Sequence, residues 1–332
     1  MRFFAVILFL ISFSVYADQL IIEPDMGRAP VINMMNETKQ SLDLVMYGFT
    51  DPELLNALIK VHDHGKSVKL ILEEKPYKAE DQNLKTIAIL QQNKIDMEGR
   101  GSAFKLVHQK TLIIDDKKAL VMTFNFTKSS FKNERNFGLI IDDPKTVHAV
   151  AKIFSADWNG KPSRVDANNL IFSPDNSREQ LSSLINHAHD TINIYAQSVK
   201  DFQLIGALAR ASKRGVAINI LTSSNTHSKQ INYLRRLGVH LKQSKKLYIH
   251  AKVLVIDNKQ AVLGSINLTK PSLDQNRELS IVTTDPAVIR ELSQTFARDW
   301  QGQMTYRRRD TNVTDQLLRF AKREFRHYYH IH

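Results

Sequence analysis

Residues 108–160 and 250–302 lie over one another without a gap, every pair 142 positions apart, and 18 of the 53 pairs are identical. The identities include His108/His250, Lys110/Lys252, Asp115/Asp257, Asn125/Asn267, Arg135/Arg277 and Asp157-Trp158/Asp299-Trp300. Upstream, Ser41–Ile71 matches Thr191–Leu221 at an offset of 150, with Asp51/Asp201, Leu54/Leu204 and Gly65/Gly215 coinciding. The offset falls by 8 between Gly65 and His108, which predicts a longer loop in the first copy, around Pro76–Gln82. A period this long is not a solenoid repeat. It predicts a duplicated domain, and 332 residues agree with two domains of roughly 150 residues each.

Each copy reads as alternating strands and helices. Ser41–Tyr47 and Thr191–Ala196 carry apolar residues at alternate positions, as strands do. Asp51-Pro52 supplies a helix cap followed by proline at the first helical position. Leu54, Leu55, Leu58 and Ile59 then form a helical stripe that ends near Gly65. Val68–Leu72 and Val216–Leu221 are nearly continuous apolar runs, the pattern of strands buried on both faces. A further helix, a strand carrying His-x-Lys, another strand and a helix ending in Asp-Trp complete each unit. The alternation implies an α/β layer fold. Gly65 and Gly215 are read as helix C-terminal glycines.

The two ends differ from this repeating body. Arg2 precedes an apolar stretch of about 14 residues, shorter than the roughly 20 needed to span a bilayer. Val15-Tyr16-Ala17 has the form of a secretory cleavage site, so residues 1–17 are expected to be an export signal cut after Ala17. This predicts a secreted or periplasmic protein. The expected domains are 18–162 and 163–302, followed by a basic segment, 303–332. There Arg307–Arg309 and Lys322 are interleaved with Leu317, Phe320 and Tyr328. Such a stretch can lie on an anionic membrane or a nucleic-acid backbone, or pack as a terminal helix. Lys+Arg 46 against Asp+Glu 34 gives +12, which suits anionic partners.

The chemistry is concentrated in one pattern that occurs twice. His108-Gln109-Lys110 is followed by Asp115, Thr123 and Asn125, and His250-Ala251-Lys252 by Asp257, Ser265 and Asn267. A phosphodiester carries negative charge, and hydrolysis builds more of it on the non-bridging oxygens. Two lysines and two asparagines aimed at one point neutralise that charge as it develops. Two imidazoles titrating near neutrality can divide the labour of attack and leaving-group protonation. Strand periodicity would put His108 and Lys110 on one face with Leu112 and Ile114, and Asp115 and Asp257 on the opposite face in a hydrogen-bonding role. Thr123 and Ser265 either donate to phosphate or serve as turn residues. With Cys 0, thiol nucleophiles and thiolate zinc sites are excluded. His62-Asp63-His64 is read as a solvated helix end, not a metal pair.

The doubled His-x-Lys-x4-Asp pattern resembles the phospholipase D superfamily over about residues 30–302, and is similar to its exported bacterial members through Glu134-Arg135-Asn136-Phe137-Gly138 and Asn276-Arg277-Glu278-Leu279. The resemblance implies two α/β/α sandwich domains related by a pseudo-two-fold axis, with one active site at their interface. It also implies a covalent phosphohistidine and no metal or other cofactor. His108 would be the nucleophile and His250 the general acid. One chain supplies both half-sites, so a monomer is expected.

The copies are not equal. The second has Gly264-Ser265 where the first has Met122-Thr123. The family's acidic partner, eleven residues beyond the motif asparagine, is Glu278 in the second copy, whereas the same count in the first gives Asn136, with Glu134 two residues earlier. On this count Glu278 orients His250, and His108 has an amide instead.

The leading expectation is a phospholipase D that hydrolyses phospholipid head-group phosphodiesters. The alternative is a metal-independent nuclease with the same two-histidine chemistry, which the basic charge favours. A cardiolipin-synthase-like phosphatidyltransferase is a third option. A non-catalytic module that binds anionic surfaces is a fourth, resting on Met122 and Asn136 as marks of a decayed first site.

Overall fold

The computed structural model describes residues 18–305 apart from 100, 102, 163–166, 224–228 and 302–303. The expected export signal lies outside the described residues, as does all of the basic segment except Met304 and Thr305. In the first half β1 (Gln19–Glu23), α1 (Ala29–Asn36), β2 (Ser41–Met46), α2 (Pro52–Asp63) and β3 (Ser67–Leu72) come first. They are followed by α3 (Leu84–Gln92), β4 (Asp96–Glu98), β5 (Thr111–Ile114), β6 (Lys118–Met122), β7 (Glu134–Ile141) and α4 (Pro144–Trp158). The second half repeats the order with β8 (Leu170–Ser173), α5 (Ser177–Asn186), β9 (Thr191–Ala196), α6 (Phe202–Lys213) and β10 (Ala217–Ser223). Then come α7 (Lys229–Arg236), β11 (His240–Ser244), β12 (Tyr248–Ile249), β13 (Lys252–Ile256) and β14 (Gln260–Gly264). Short α8 (Lys270–Asp274), β15 (Glu278–Thr283), α9 (Pro286–Trp300) and β16 (Met304–Thr305) close the described chain.

Each half builds one mixed sheet. The first runs β1-β7-β6-β5-β2-β3-β4, and the second β16-β11-β10-β9-β13-β14-β15-β8. Parallel pairing is confined to β2-β3-β4 and β9-β10-β11 within each sheet, where helical crossovers connect the strands. The helices have a local cause. Asp51 accepts from the N–H groups of Glu53 and Leu54, Asp201 from those of Gln203 and Leu204, and Asp143 and Asp285 cap α4 and α9 in the same way. Gly65 and Gly215 follow α2 and α6 with φ of +74° and +96°, a backbone that glycine adopts freely.

Burial follows strand parity. Leu42, Leu44 and Met46 of β2 face a core under α1, α2 and α3, and Ile192 and Ile194 of β9 face its counterpart under α5 and α6. Val45, Ile113 and Val121 from the first sheet join Val253, Val255 and Leu263 from the second in a central core with α4 and α9. The two sheets therefore enclose that core between them, and outer helices cover their far faces. This is the doubled α/β/α sandwich that the resemblance implied.

Two expectations need correction. The extra length of the first copy is divided between the loop 73–83, which contains Pro76–Gln82, and the stretch 99–107 before His108. His108-Gln109-Lys110 also lies outside the strand, because β5 begins at Thr111; in the second copy only Lys252 is within β13. The residues before each histidine bond to the other half, so the period-of-two argument stops at the strand's first residue.

Candidate active site

The approach to each histidine is held by the opposite half. His108 N–H donates to Arg277 O at 2.9 Å, and Arg277 N–H donates to Leu106 O at 2.8 Å. Reciprocally, β12 pairs in parallel with the start of β7, and Ala251 N–H donates to Arg135 O at 3.0 Å. The two arginines are themselves anchored across the interface. Arg135 Nε donates to Asp299 at 2.7 Å, and Arg277 Nε to Asp157 at 2.8 Å. Arg135 also reaches Glu23 O, and Arg277 reaches Ser173 O. The identities Arg135/Arg277 and Asp157/Asp299 were visible in the sequence; their crossed pairing was not.

Each lysine leans on the carbonyl of its own histidine: Lys110 Nζ donates to His108 O at 2.5 Å and Lys252 Nζ to His250 O. Lys110, His250 and Lys252 are buried and His108 is partly so, and the four are close enough to perturb one another. Burial and the lysines of both halves hold the His108 imidazole down at about 4 in spite of Glu278. Burial, Lys252 and Lys110 depress His250 well below its ordinary value. Burial brings Lys252 down to about 7, and burial together with Lys252 brings Lys110 well below the usual ammonium range. The site thus crowds cationic groups and disfavours their charged forms. An anion placed among them relieves both costs.

The ring partners are crossed relative to the sequence expectation. Glu278 does not touch His250: its Oε2 lies 2.8 Å from His108 Nδ1. His250 Nδ1 instead lies 2.9 Å from Asn136 Oδ1. The physical reason is the exchange just described, since β7 and β15 each run beside the approach to the other half's histidine. Burial alone would raise Glu278, but His108, its hydrogen bond and Lys110 outweigh burial and hold the carboxyl below its usual range. Ser272 Oγ and Asn276 Nδ2 also donate to Glu278 Oε1, at 2.5 and 3.2 Å.

The hydrogen-bond network fixes both tautomers. A carboxylate only accepts, so His108 carries its proton on Nδ1. Glu134 Oε2 accepts from Asn136 Nδ2 at 3.1 Å, which turns Asn136 Oδ1 toward His250 and makes His250 Nδ1 a donor as well. Thr123 Oγ1 takes the Phe137 N–H and gives its own proton to Asn136 Oδ1 at 2.8 Å. In both neutral rings Nε2 therefore holds the lone pair.

The remaining sequence candidates fall into two groups. Asn125 and Asn267 follow β6 and β14, and each has a buried Oδ1 without a hydrogen-bond partner. Ser265 exchanges hydrogen bonds with the Leu279 backbone, as Thr123 does in part with Phe137. Asp115 and Asp257 are away from the histidines, at the far ends of β5 and β13. They gather the N–H groups of Lys39, Gln40 and Ser41, and of His189, Asp190 and Thr191. Their role is to fasten β2 and β9.

Sequence reading missed Tyr47. Its ring meets that of His108 edge-on at 4.7 Å and lies 5.1 Å beneath Lys110 Nζ, while its hydroxyl accepts from Tyr77 N–H in the longer loop. The second copy has Gln197 there, so conservation between copies gave no signal.

Met122 does not mark decay. It stands opposite Gly138 across β6 and β7, whereas Gly264 stands opposite Ser280 across β14 and β15. One member of each pair is glycine: a Cβ on Gly264 would lie 2.3 Å from Leu279 O, and one on Gly138 would lie 3.0 Å from Leu120 Cδ1. The glycine of the pair is on β14 in the second half and on β7 in the first.

Among the described residues, no three His, Asp or Glu side chains form a group able to hold a metal ion, and no helix is long and apolar enough to cross a membrane.

A family model described as "Cardiolipin synthase, PLD-like domain" matches residues 31–158 and 181–300, most of the chain. Over 136 residues the chain is 25% identical to a "Mitochondrial cardiolipin hydrolase" of Danio rerio, covering 39% of this chain and 60% of that protein. Over 137 residues it is 28% identical to a "Phospholipase D" of Rickettsia prowazekii (strain Madrid E), covering 41% and 63%. The matches thus span about three-fifths of the length of these curated relatives. The solved phosphatidylserine synthase of Haemophilus influenzae Rd KW20 superposes with a TM-score of 0.66 over 92% of this chain and 93% of that one; at 12% identity it shares the fold.

Proposed function

This chain belongs to the phospholipase D superfamily, and we propose that it is a metal-independent phosphodiesterase that hydrolyses phospholipid head-group esters through a phosphohistidine on His108. The observation that carries the reading is the pair of imidazoles, His250 buried and His108 partly buried, each with Nδ1 engaged and Nε2 left as the basic atom, beside two buried lysines.

The groups divide the reaction as follows. The substrate phosphate enters among Lys110, Lys252, Asn125 and Asn267, and its charge raises the proton affinity of the imidazoles and amines around it. His108 Nε2 attacks phosphorus: the N–P bond forms as the bond from phosphorus to the head-group oxygen breaks. His250, protonated beside the anion, gives its Nε2 proton to that oxygen. Glu278 stabilises the positive charge on the phosphorylated His108 ring. Water then attacks phosphorus and loses a proton to His250 as the N–P bond breaks, which releases phosphatidic acid and restores His108. The lysines supply the charge neutralisation for which other hydrolases use a metal.

The names of the curated relatives support a lipid substrate: one is a cardiolipin hydrolase and another a phospholipase D. In this reading residues 1–17 direct export and the mature chain begins at Asp18, which N-terminal sequencing checks. Parallel turnover assays on phospholipid vesicles and on plasmid DNA, both in EDTA, test the substrate. Release of phosphatidic acid is expected from the vesicles, with the DNA left intact. Cleavage of DNA alone would overturn the lipid assignment and leave the two-histidine chemistry standing. Activity that vanishes in EDTA and returns with a divalent ion would overturn the mechanism.

A further inference from the structure

In each half a serine, a glutamate and an asparagine surround the ring nitrogen of the other half's histidine, but the last two are in opposite order. The first half reads Glu134-Arg135-Asn136 and the second Asn276-Arg277-Glu278. In both, the side chains of the pair are bonded to each other, Asn136 Nδ2 to Glu134 Oε2 at 3.1 Å and Asn276 Nδ2 to Glu278 Oε1 at 3.2 Å. In both, a serine also donates to the glutamate, Ser130 at 3.1 Å and Ser272 at 2.5 Å. Only the residue facing the imidazole differs. His108 meets the carboxylate itself at 2.8 Å, while His250 meets the amide at 2.9 Å, with the Glu134 carboxylate behind it at 3.8 Å.

We propose that the order of glutamate and asparagine in these two triplets assigns the histidines their separate roles, with Asn136 and Glu134 acting as positioning residues that make His250 the proton carrier. A carboxylate in direct contact strengthens the lone pair on the far ring nitrogen and pairs with the cationic phosphorylated ring. Both effects suit a nucleophile. An amide oxygen fixes the same tautomer without that charge, so the protonated ring gives up its proton more readily, which suits an acid. Glu134 contributes at one remove: as a pure acceptor it holds the Asn136 amide in the orientation His250 requires.

The inference rests on the two-histidine reading above, and its test uses a substrate without lipid. Full-length protein is mixed with bis(p-nitrophenyl) phosphate, quenched during turnover in alkaline detergent, which preserves the N–P bond, digested at alkaline pH and searched by mass spectrometry for a phosphorylated histidine peptide. The wild type is expected to carry the adduct on His108. The variant with both triplets exchanged, Glu134→Asn, Asn136→Glu, Asn276→Glu and Glu278→Asn, is expected to carry it on His250. An adduct that stays on His108 in the exchanged variant, or lies on His250 in the wild type, overturns the inference. No adduct on either histidine of a wild type that is turning over overturns the underlying reading.

A single substitution guards against misfolding of the fourfold variant. Glu134→Gln leaves attack by His108 intact, and p-nitrophenolate departs without a proton, whereas the water step needs His250. Its p-nitrophenolate release is therefore expected to become a burst followed by turnover about 10-fold or more below wild type, with adduct accumulating on His108. Slow release without a burst would show that Glu134 serves only the fold, and the inference would fall.

Discussion

Glu278 hydrogen-bonds His108 at 2.8 Å across 170 positions of sequence, from the half of the molecule that does not contain that histidine. The carboxylate is wholly buried and also receives Ser272 and Asn276. Replacing Glu278 with Gln keeps the shape and removes the charge. Turnover is expected to fall on the order of 100-fold or more, as when the orienting acid of a hydrolase triad is neutralised. Circular dichroism should show the fold unchanged, and a loss of less than tenfold would deny the carboxylate its part in the chemistry.

His108→Ala and His250→Ala should each abolish turnover to about 1% or less, because both imidazoles serve one reaction. Single-turnover kinetics on folded variants checks this. Substantial activity in either would mean that the two half-sites work independently.

Binding of inorganic phosphate should draw protons from solution near pH 7.5. His250 lies well below its ordinary value and Lys252 at about 7, both through burial first, and an anion favours their charged forms. Titration calorimetry in buffers of different ionisation enthalpy measures the proton count. A release of protons, or no exchange, would contradict the electrostatic account of the site.

Asp157→Asn leaves Arg277, which is 2% exposed, without its bidentate partner, and the loss is expected to be about 3–5 kcal/mol. Asp299→Asn should behave alike through Arg135. Because each pair joins the halves, urea denaturation should show one transition moved to lower concentration. A first transition confined to one half would indicate that the halves are only loosely coupled.

Glu23 is fully buried, and desolvation pushes its carboxyl up to about 8. A group whose proton affinity is higher folded than unfolded adds stability below its ordinary value of 4.5 and loses that contribution as pH rises through 8. Glu23→Gln should therefore gain on the wild type steadily from pH 5 to pH 8.5 in denaturant midpoint. Parallel curves across that window would show that Glu23 is ionised throughout.

Much of this architecture is legible in the sequence because its causes are local. The alternation in Thr191–Ala196, the cap at Asp51 and the glycine at 65 depend on near neighbours, and the duplication confirms each element twice. The partner of a histidine has no such cause. In a chain written twice every residue has two candidate partners, one in its own half and one across the axis, and the count from Asn267 to Glu278 is the same for either. Spacing found Glu278 but could not tell His108 from His250. Met122 misled for a related reason: the glycine of its cross-strand pair is Gly138 on the neighbouring strand, a register known only once β6 and β7 are paired.

The reciprocal bonds from His108 to Arg277 and from Ala251 to Arg135 also bear on how the protein is made. During synthesis the first half can fold while the second is still being threaded out, and it then owns an imidazole and a lysine with no carboxylate to aim them. A chain nicked between its halves and pulled apart is in the same condition. In the proposed mechanism, reactivity toward phosphodiesters is thus a property of the completed docking, and a nascent or broken copy lacks it.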